Sequence, residues 1–156
     1  MEDYDCILPN LYVGVYPQSL RDIQDLKECC GVTAVLNLQS DQDLSERKVD
    51  WPAMEGLYKK LGVEVYRVPM RDLDPHDQRG KLLEAVRTLA LLLNSGQVVY
   101  LHCNAGISRS PLVAIAYLHW YRRLSREAAI KLVKGRRYCL PYEEILEMDG
   151  GFDDPG

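Results

Sequence analysis

The sequence predicts an α/β domain with a central, mostly parallel sheet of about four or five strands flanked by helices. Short apolar segments rich in β-branched residues alternate along the chain with longer segments whose apolar residues recur every three or four positions. No internal repeat or low-complexity linker interrupts this alternation. Because 156 residues suffice for one core, we expect one domain over residues 1–148, followed by a flexible acidic tail at 149–156.

Four segments are predicted to be strands because they are short, apolar and rich in β-branched residues. They cover residues 7–13, 32–38, 63–70 and 97–102. The last of them, QVVYLH, combines apolar character with β-branched residues, so we place it at the centre of the sheet.

Helices are predicted where an N-cap residue or a proline precedes an apolar stripe. They begin near Ser19, Pro52, Asp77, Leu112, Ser125 and Pro141, and the one from Asp77 runs to Asn94. Residues 40–50 are polar, so a loop is expected there. The adjacent Cys29 and Cys30 lie in the first of these helices and are expected to pack in the core.

Charge and cysteine content narrow the class of protein. The formal net charge is −4 at pH 7, whereas a general nucleic-acid binder is usually basic over one face. The acidic start MEDYDCILPN lacks the parts of a secretory signal, and no apolar run is long enough to cross a bilayer. Five cysteines without metal-type spacing fit reduced thiols. We expect a monomer in the cytoplasm or another reducing compartment, with no nucleic-acid or membrane partner.

The segment LHCNAGISRSP, residues 101–111, lies between the predicted central strand and an apolar helix. A loop in this position directs several backbone N–H groups to one point, where the positive end of the helix dipole also lies. Gly106 permits close approach of the backbone, and Arg109 can clamp a phosphate with two hydrogen bonds. The predicted phosphate-binding residues are Asn104, Ala105, Gly106, Ile107, Ser108 and Arg109.

The same electrostatic field favours the thiolate form of Cys103, which makes this residue a candidate nucleophile. Taken alone, Cys103 would be interpreted as a small buried residue that ends a strand. The combination of strand, His-Cys, glycine, arginine, serine and apolar helix favours the nucleophile. His102 is expected to support the loop structurally, with a satisfied core histidine as the alternative.

A cysteine that attacks phosphorus needs an acid nearby to protonate the leaving oxygen. RDLDPHD, residues 71–77, offers three candidates, which are Asp72, Asp74 and Asp77. Asp74 precedes a proline and suits a turn, whereas Asp77 suits a helix N-cap.

HCNAGISRS resembles the signature of the cysteine-dependent protein tyrosine phosphatase superfamily, and its Ala-Gly-x-Ser-Arg-Ser form is similar to the dual-specificity branch. The similarity extends over most of the chain, through ILPNLYVG, VTAVLNL and the acidic loop at Asp72. It implies a protein tyrosine phosphatase-like fold and a two-step hydrolysis, without metal or cofactor, through a phosphocysteine at Cys103. It also implies Asp72 as the general acid. Ser110 would help the sulfur to leave as thiolate, and the same residue also suits a helix-start cap.

The nature of the substrate is a separate question. NLQSDQDL, RDLDPHDQR and LVKGRRYCLP are similar to the plant starch (glucan) phosphatases and to laforin. Those enzymes carry paired aromatics where this chain has LSERKVDW, a Phe where it has Leu73, and a Gly where it has Ser108. We therefore expect a phosphoprotein substrate, with a phosphoglucan as the alternative and a phosphoinositide or another small phosphate as a third candidate. The non-enzyme alternative is a phosphate-binding pseudophosphatase. The basic cluster KGRR at 134–137 either steers an anionic substrate or is a solvated helix face.

Overall fold

The computed structural model describes residues 1–147 as a five-stranded sheet with helices on both faces. The strands are β1 (Tyr4–Leu8), β2 (Leu11–Gly14), β3 (Ala34–Asn37), β4 (Glu64–Arg67) and β5 (Val99–His102). Their order across the sheet is β1-β2-β5-β3-β4, in which β1 and β2 pair antiparallel and the other neighbours pair in parallel. The predicted mostly parallel sheet, with β5 at its centre, is confirmed. The predicted acidic tail, residues 149–156, lies outside the described residues.

The prediction of one strand over residues 7–13 is wrong, because the chain forms a hairpin there. Pro9 and Asn10 form the turn between β1 and β2. Proline has no backbone N–H to give to a sheet, and its fixed φ angle suits a turn, so the strand ends before it. The hairpin places β1 at one edge of the sheet.

Helices connect the strands on both faces of the sheet. They are α1 (Leu20–Cys30), α2 (Asp41–Glu46), α3 (Trp51–Lys60), α4 (Pro75–Asn94), α5 (Arg109–Tyr121) and α6 (Arg126–Arg136), and a 3₁₀ helix covers Glu143–Glu147. Ser19 and Ser125 cap α1 and α6 as predicted, since their side chains accept hydrogen bonds from backbone amides of the first turn. The helix predicted from Pro141 is this 3₁₀ helix, which starts two residues later.

Two predictions at the ends of β3 and β4 are wrong. Residues 40–50 are not a loop throughout, because Ser40 and Asp43 form a capping box that begins α2. Helix α4 begins before Asp77, and its N-cap is Asp74, whose carboxylate accepts a hydrogen bond from the Asp77 amide. In both places a short polar side chain satisfies amides at a helix start that have no partner within the helix.

Buried apolar residues hold the helices against the sheet. One face packs against α4, α5 and α6 through residues such as Leu36 and Leu101, and the other packs against α1 and α3 through Val35 and Tyr100. Adjacent strand residues belong to different layers because side chains alternate between the faces of a sheet. Cys29 of α1 is exposed, so its expected core packing is wrong, whereas Cys30 is partly buried and packs against the core as predicted.

The parallel strands bring three loops together. Strands β3, β4 and β5 run in the same direction, so the segments that follow them lie at one edge of the sheet. These segments are residues 38–40 before α2, residues 68–74 before α4, and residues 103–108 before α5. None of the helices within residues 1–147 is both long and apolar enough to cross a membrane.

Candidate active site

The loop between β5 and α5 starts at the buried Cys103 and turns sharply at Gly106. Gly106 has a φ of 69°, in the left-handed region that favours glycine. A Cβ atom built on it would lie 2.6 Å from the backbone oxygen of Gly14 in β2. Glycine is therefore required here both for the backbone conformation and for the close contact with β2.

Hydrogen bonds to the carbonyl groups of the loop determine where its amides point. The amide of Tyr16 donates to the Asn104 oxygen at 3.0 Å, and the amide of Leu140 donates to the Ile107 oxygen at 2.7 Å. In a planar trans peptide the N–H points opposite to the C=O. The amides of Ala105 and Ser108 therefore point away from these outer contacts, which leaves them available to an anion.

Arg137 holds the same loop from outside and was not predicted as a site residue. Its Nε donates to the Gly106 oxygen at 2.7 Å, and its Nη2 donates to the Ala105 oxygen at 2.9 Å. The guanidinium is buried and forms ion pairs of 3.0 Å with both Asp3 and Asp5 of the N-terminal segment. Arg137 thus belongs neither to a steering patch nor to a solvated helix face.

Arg109 is the first residue of α5, and its side chain is 1% exposed. Its Nη1 atom donates to Asp43 Oδ2 at 2.6 Å and to the Met70 oxygen at 2.8 Å. Its Nε atom is buried, has no hydrogen-bond partner and lies 3.5 Å from Asp72 Oδ1. One edge of the guanidinium is therefore anchored to the protein, and the other is free to bind an oxyanion.

Asp43 is the carboxylate that anchors Arg109. Besides the bond from Arg109, it accepts hydrogen bonds from the Ser40 amide at 2.8 Å and from Asn104 Nδ2 at 2.9 Å. Burial alone would raise the pKa of Asp43, but these donors outweigh it and hold the pKa below its ordinary value. Asp43 is therefore a fixed negative charge. Sequence reasoning missed it, although the spacing from Ser40 to Asp43 is that of a capping box.

Side chains that follow β3 extend the network to the loop. Gln39 Nε2 donates to Asn104 Oδ1 at 2.9 Å, and the Gln39 amide donates to Asn37 Oδ1 at 2.7 Å. The Asn104 side chain is thus held by both Gln39 and Asp43. Its side chain belongs to this network, and its backbone belongs to the predicted phosphate-binding loop.

Two further predicted residues lie next to the sulfur. Ser110 is buried, with its Oγ 3.3 Å from Cys103 Sγ. His102 Nδ1 lies 2.9 Å from the Cys103 carbonyl oxygen, to which it donates in the neutral tautomer protonated at Nδ1. Burial, aided by the nearby charge of Arg109, lowers the pKa of His102 to about 4, so its ring is neutral at pH 7.

The three aspartates of RDLDPHD, residues 71–77, have different surroundings. Asp72 lines a pocket of about 240 Å³ together with Asp43 and Asn104, and its side chain is 40% exposed. Asp74 caps α4, and Asp77 accepts a hydrogen bond from the Arg71 amide at 2.8 Å. Asp72 is the one of the three that lies beside the free edge of Arg109.

The site contains what acid-assisted attack on an anion requires. A sulfur, a hydroxyl group, a guanidinium with a free edge and a carboxylate converge at the carboxyl edge of the sheet. Within residues 1–147, no group of three or more histidine, cysteine or carboxylate side chains could hold a metal ion.

Comparison with known proteins identifies the family. The family model described as "Dual specificity phosphatase, catalytic domain" matches residues 11–144. The chain is 34% identical over 138 residues to "Phosphoglucan phosphatase LSF1, chloroplastic" of Arabidopsis thaliana, which covers 88% of the chain and 23% of that protein. It is 35% identical over 127 residues to mouse laforin, with 75% of the chain and 38% of that protein covered. It is also 35% identical over 131 residues to human dual specificity protein phosphatase 2, with coverages of 84% and 37%.

A solved structure shares the fold over nearly the whole chain. The crystal structure of PTPMT1 in complex with PI(5)P superimposes with a TM-score of 0.76 at 25% sequence identity, and covers 92% of this chain and 90% of that one. The curated relatives are longer, since the chain spans less than two fifths of the length of each. The predicted resemblance and fold are confirmed, and the chain belongs to the dual-specificity phosphatase family of the cysteine-dependent protein tyrosine phosphatase superfamily.

Proposed function

We propose that the chain hydrolyses phosphomonoesters of protein through a phosphocysteine intermediate and without a metal. The observation that carries the proposal is the edge of Arg109 that faces Asp72, where the buried Nε has no hydrogen-bond partner among the described residues and lies 3.5 Å from Asp72 Oδ1. A buried N–H of a charged group is costly to leave unpaired, so the site favours a ligand that accepts from it. Phosphoryl oxygens match a guanidinium in both charge and geometry.

The first step transfers the phosphoryl group to the enzyme. The thiolate of Cys103 attacks phosphorus, so an S–P bond forms as the P–O bond to the leaving group breaks. Arg109 and the loop amides hold the remaining phosphoryl oxygens, and Asp72 gives its proton to the departing oxygen. The products of this step are the free alcohol or phenol, phosphocysteine and the carboxylate of Asp72.

The second step releases phosphate and restores the enzyme. The Asp72 carboxylate takes a proton from a water molecule as that water attacks phosphorus, and the S–P bond breaks with its electron pair on sulfur. The hydroxyl of Ser110, 3.3 Å from the sulfur, donates to the developing thiolate. Both groups then have the protonation states in which they began.

Phosphoprotein is the substrate class that we favour. Dual specificity protein phosphatase 2 is named as a protein phosphatase, and Leu73, beside the acid, is an exposed aliphatic residue rather than an aromatic one. A phosphoglucan is the second candidate because LSF1, with 34% identity over 88% of the chain, is named as a phosphoglucan phosphatase. We also propose a reducing compartment, in which a thiolate at Cys103 would persist.

The proposal is tested by comparing the wild-type protein with Cys103→Ser. Assays of para-nitrophenyl phosphate, a phosphotyrosyl peptide and phosphorylated starch should show turnover by the wild type, with the peptide preferred. Cys103→Ser should lower turnover by at least about 10⁴-fold because the nucleophile is lost. The exposed Cys29 provides a matched control, since Cys29→Ser should keep wild-type rates.

Two results would contradict parts of this proposal separately. Equal rates for the wild type and Cys103→Ser would remove the phosphocysteine mechanism. Faster release of phosphate from starch than from every phosphopeptide tested would instead make the phosphoglucan the substrate while keeping the mechanism.

A further inference from the structure

A second cleft, here called the Arg47 cleft, lies next to the pocket of Asp72. It has a volume of about 330 Å³, and Tyr16, Arg47, Lys48 and Met54 are among the residues that line it. Arg47 also lines the pocket of about 240 Å³ that contains Asp72. The two depressions therefore meet at one side chain, so a substrate held in the first can extend into the second.

The end of the Arg47 cleft nearest the phosphate-binding loop is built from groups tied to that loop. The Tyr16 amide donates to the Asn104 oxygen at 3.0 Å, which attaches this wall of the cleft to the loop backbone. The guanidinium carbon of Arg47 lies 5.9 Å from the centroid of the Tyr16 ring, within range of a cation–π interaction. The cleft thus has a fixed position relative to the phosphate.

The lining combines aliphatic side chains with two cations. Val49, Met54 and Leu57 supply apolar surface, and Arg47 and Lys48 supply positive charge. Within residues 1–147, neither cation forms an ion pair with a carboxylate. Neither cation is therefore neutralised by a direct salt bridge among these residues.

The carboxylate of Asp50 also lines the cleft and already accepts a hydrogen bond within the protein. It caps α3 by accepting a hydrogen bond from the Ala53 amide at 3.1 Å. Its negative charge offsets one of the two positive charges, so two cations and one carboxylate leave the lining with a formal charge of +1, which complements an acidic side chain of a ligand.

Lys48 occupies a backbone position that glycine usually takes. The turn after α2 has the Schellman pattern, since the Val49 amide donates to the Leu44 oxygen at 2.8 Å, and Lys48 has a φ of 54°. A side chain in this left-handed conformation costs roughly 1 kcal/mol. The chain keeps a lysine here despite that cost, at the edge of the cleft.

We propose that the Arg47 cleft is a second substrate subsite, which binds an aliphatic side chain and an adjacent acidic side chain that flank the phosphorylated residue of a polypeptide. The inference rests on the proposed protein phosphatase function and refines it. An aliphatic lining with two cations that form no salt bridge within residues 1–147 matches such a peptide. A glucan binds instead to flat aromatic surfaces, and Arg47 lies over the one aromatic ring among the lining residues.

The test measures kcat/KM for phosphotyrosyl peptides that differ only in flanking residues. In one set of peptides, a Leu-Glu pair is placed in turn at each position before and after the phosphotyrosine. In the matched set, Asn-Gln replaces that pair at the same positions. Wild-type protein should prefer the Leu-Glu peptide by about tenfold or more at one register, mainly through KM, because burying an apolar group typically changes specificity by 10–200-fold.

Two variants address the two parts of the subsite. Ala53→Trp, at an exposed position of α3 in the cleft wall, should fill the cleft and remove the preference for the pair. Lys48→Gly should remove the preference for Glu while the preference for Leu remains, and it should not lower the melting temperature. Each kcat/KM for a peptide is divided by the kcat/KM of the same variant for para-nitrophenyl phosphate.

Ala128→Trp is the matched control, because Ala128 is also exposed but lies in α6 on the other face of the sheet. This variant should keep the full preference. Turnover of phosphotyrosyl peptides without any flanking preference would overturn the subsite and leave the proposed function intact. A loss of starch dephosphorylation but not of peptide selectivity in Ala53→Trp would assign the cleft to a glucan. The absence of peptide turnover would remove both the function and the subsite.

Discussion

Two carboxylates flank the guanidinium of Arg109, and their surroundings are opposite. The side chain of Asp43 is 8% exposed and contacts Arg109 at 2.6 Å, whereas that of Asp72 is 40% exposed and lies at 3.5 Å. Asp43 accepts hydrogen bonds from three side-chain or backbone groups and cannot give up its charge without losing them. Asp72 accepts one, from the adjacent Leu73 amide, and is open to a ligand. The contrast separates a group that positions an arginine from one that can exchange a proton with a substrate.

The difference originates in the elements that carry the two residues. Asp43 is in the first turn of α2, where the capping box fixes its orientation. Asp72 lies in the loop before α4, next to Leu73, which has a φ of 57° and is 80% exposed. A residue in a helix turn is held more closely than one in an exposed loop, and each location suits the role that we assign.

Of the two carboxylates, Asp72 should show the larger effect on turnover when it is replaced. Asp72→Asn should lower kcat for alkyl phosphates by about 10²–10⁴-fold, because the leaving oxygen then departs without a proton. The loss should be smaller for para-nitrophenyl phosphate, whose leaving group is less basic.

Asp74→Asn is the control for this assignment, because Asp74 caps α4 and lies in the same loop. It should change the rates little. Equal losses in the two variants would refute the assignment of the acid to Asp72.

A smaller effect is expected when Asp43 is replaced. Asp43→Asn keeps the shape of the side chain but removes its negative charge, which pairs with Arg109. The value of kcat/KM should therefore fall by roughly 10–100-fold, as is typical when a residue that orients a site residue is replaced. The ratio of the rates for para-nitrophenyl phosphate and for alkyl phosphates should stay close to that of the wild type, whereas it should rise in Asp72→Asn. An unchanged ratio distinguishes a positioning residue from an acid.

Stability measurements provide a second readout for Asp43. Urea unfolding of Asp43→Asn should show a loss of about 3 kcal/mol, because an uncompensated buried arginine remains. Asp41 is the matched control, since its exposed side chain pairs with Arg67 at the surface. Asp41→Asn should change stability by less than about 1 kcal/mol. Wild-type activity and stability in Asp43→Asn would remove its positioning role.

The smallest effect concerns His102, which is buried, as Asp43 is. Its pKa is about 4 in the folded protein and 6.5 in the absence of the fold, so the unfolded chain binds more protons between these values. Stability from this residue is therefore complete above pH 6.5 and is lost as the pH falls. The loss should reach roughly 2 kcal/mol between pH 6.5 and pH 5.

The comparison of wild type with His102→Asn isolates this contribution from those of the carboxylates. Urea unfolding at pH 7, 6 and 5 should show a smaller fall in the free energy of unfolding for the variant than for the wild type. Parallel declines would mean that protonation of His102 does not differ between the folded and unfolded protein.

Several features that depend on neighbouring residues were predicted correctly, and two were not. The helix starts at Ser19 and Ser125 and the placement of Cys103 between strand and helix involve groups only a few residues apart, so sequence spacing constrains them. The hairpin at Pro9 and the start of α2 at Ser40 are also local, and were missed because a turn and a capping box were not recognised. Both features have local signals in the sequence, which are the Pro9-Asn10 pair and the spacing from Ser40 to Asp43.

The sequence by itself determined the family, the mostly parallel sheet with β5 at its centre, and the position of Cys103 and Arg109 at the junction between that strand and the helix that follows it. Only the tertiary structure decided that Asp43, 66 residues before Arg109, is its partner and that Arg137, 31 residues after Gly106, supports the loop. Both are buried ion pairs or hydrogen bonds between distant segments, and nothing in the spacing of the chain encodes their distances. They depend on the sheet, which brings the ends of its parallel strands to one edge and excludes water from the charges that meet there.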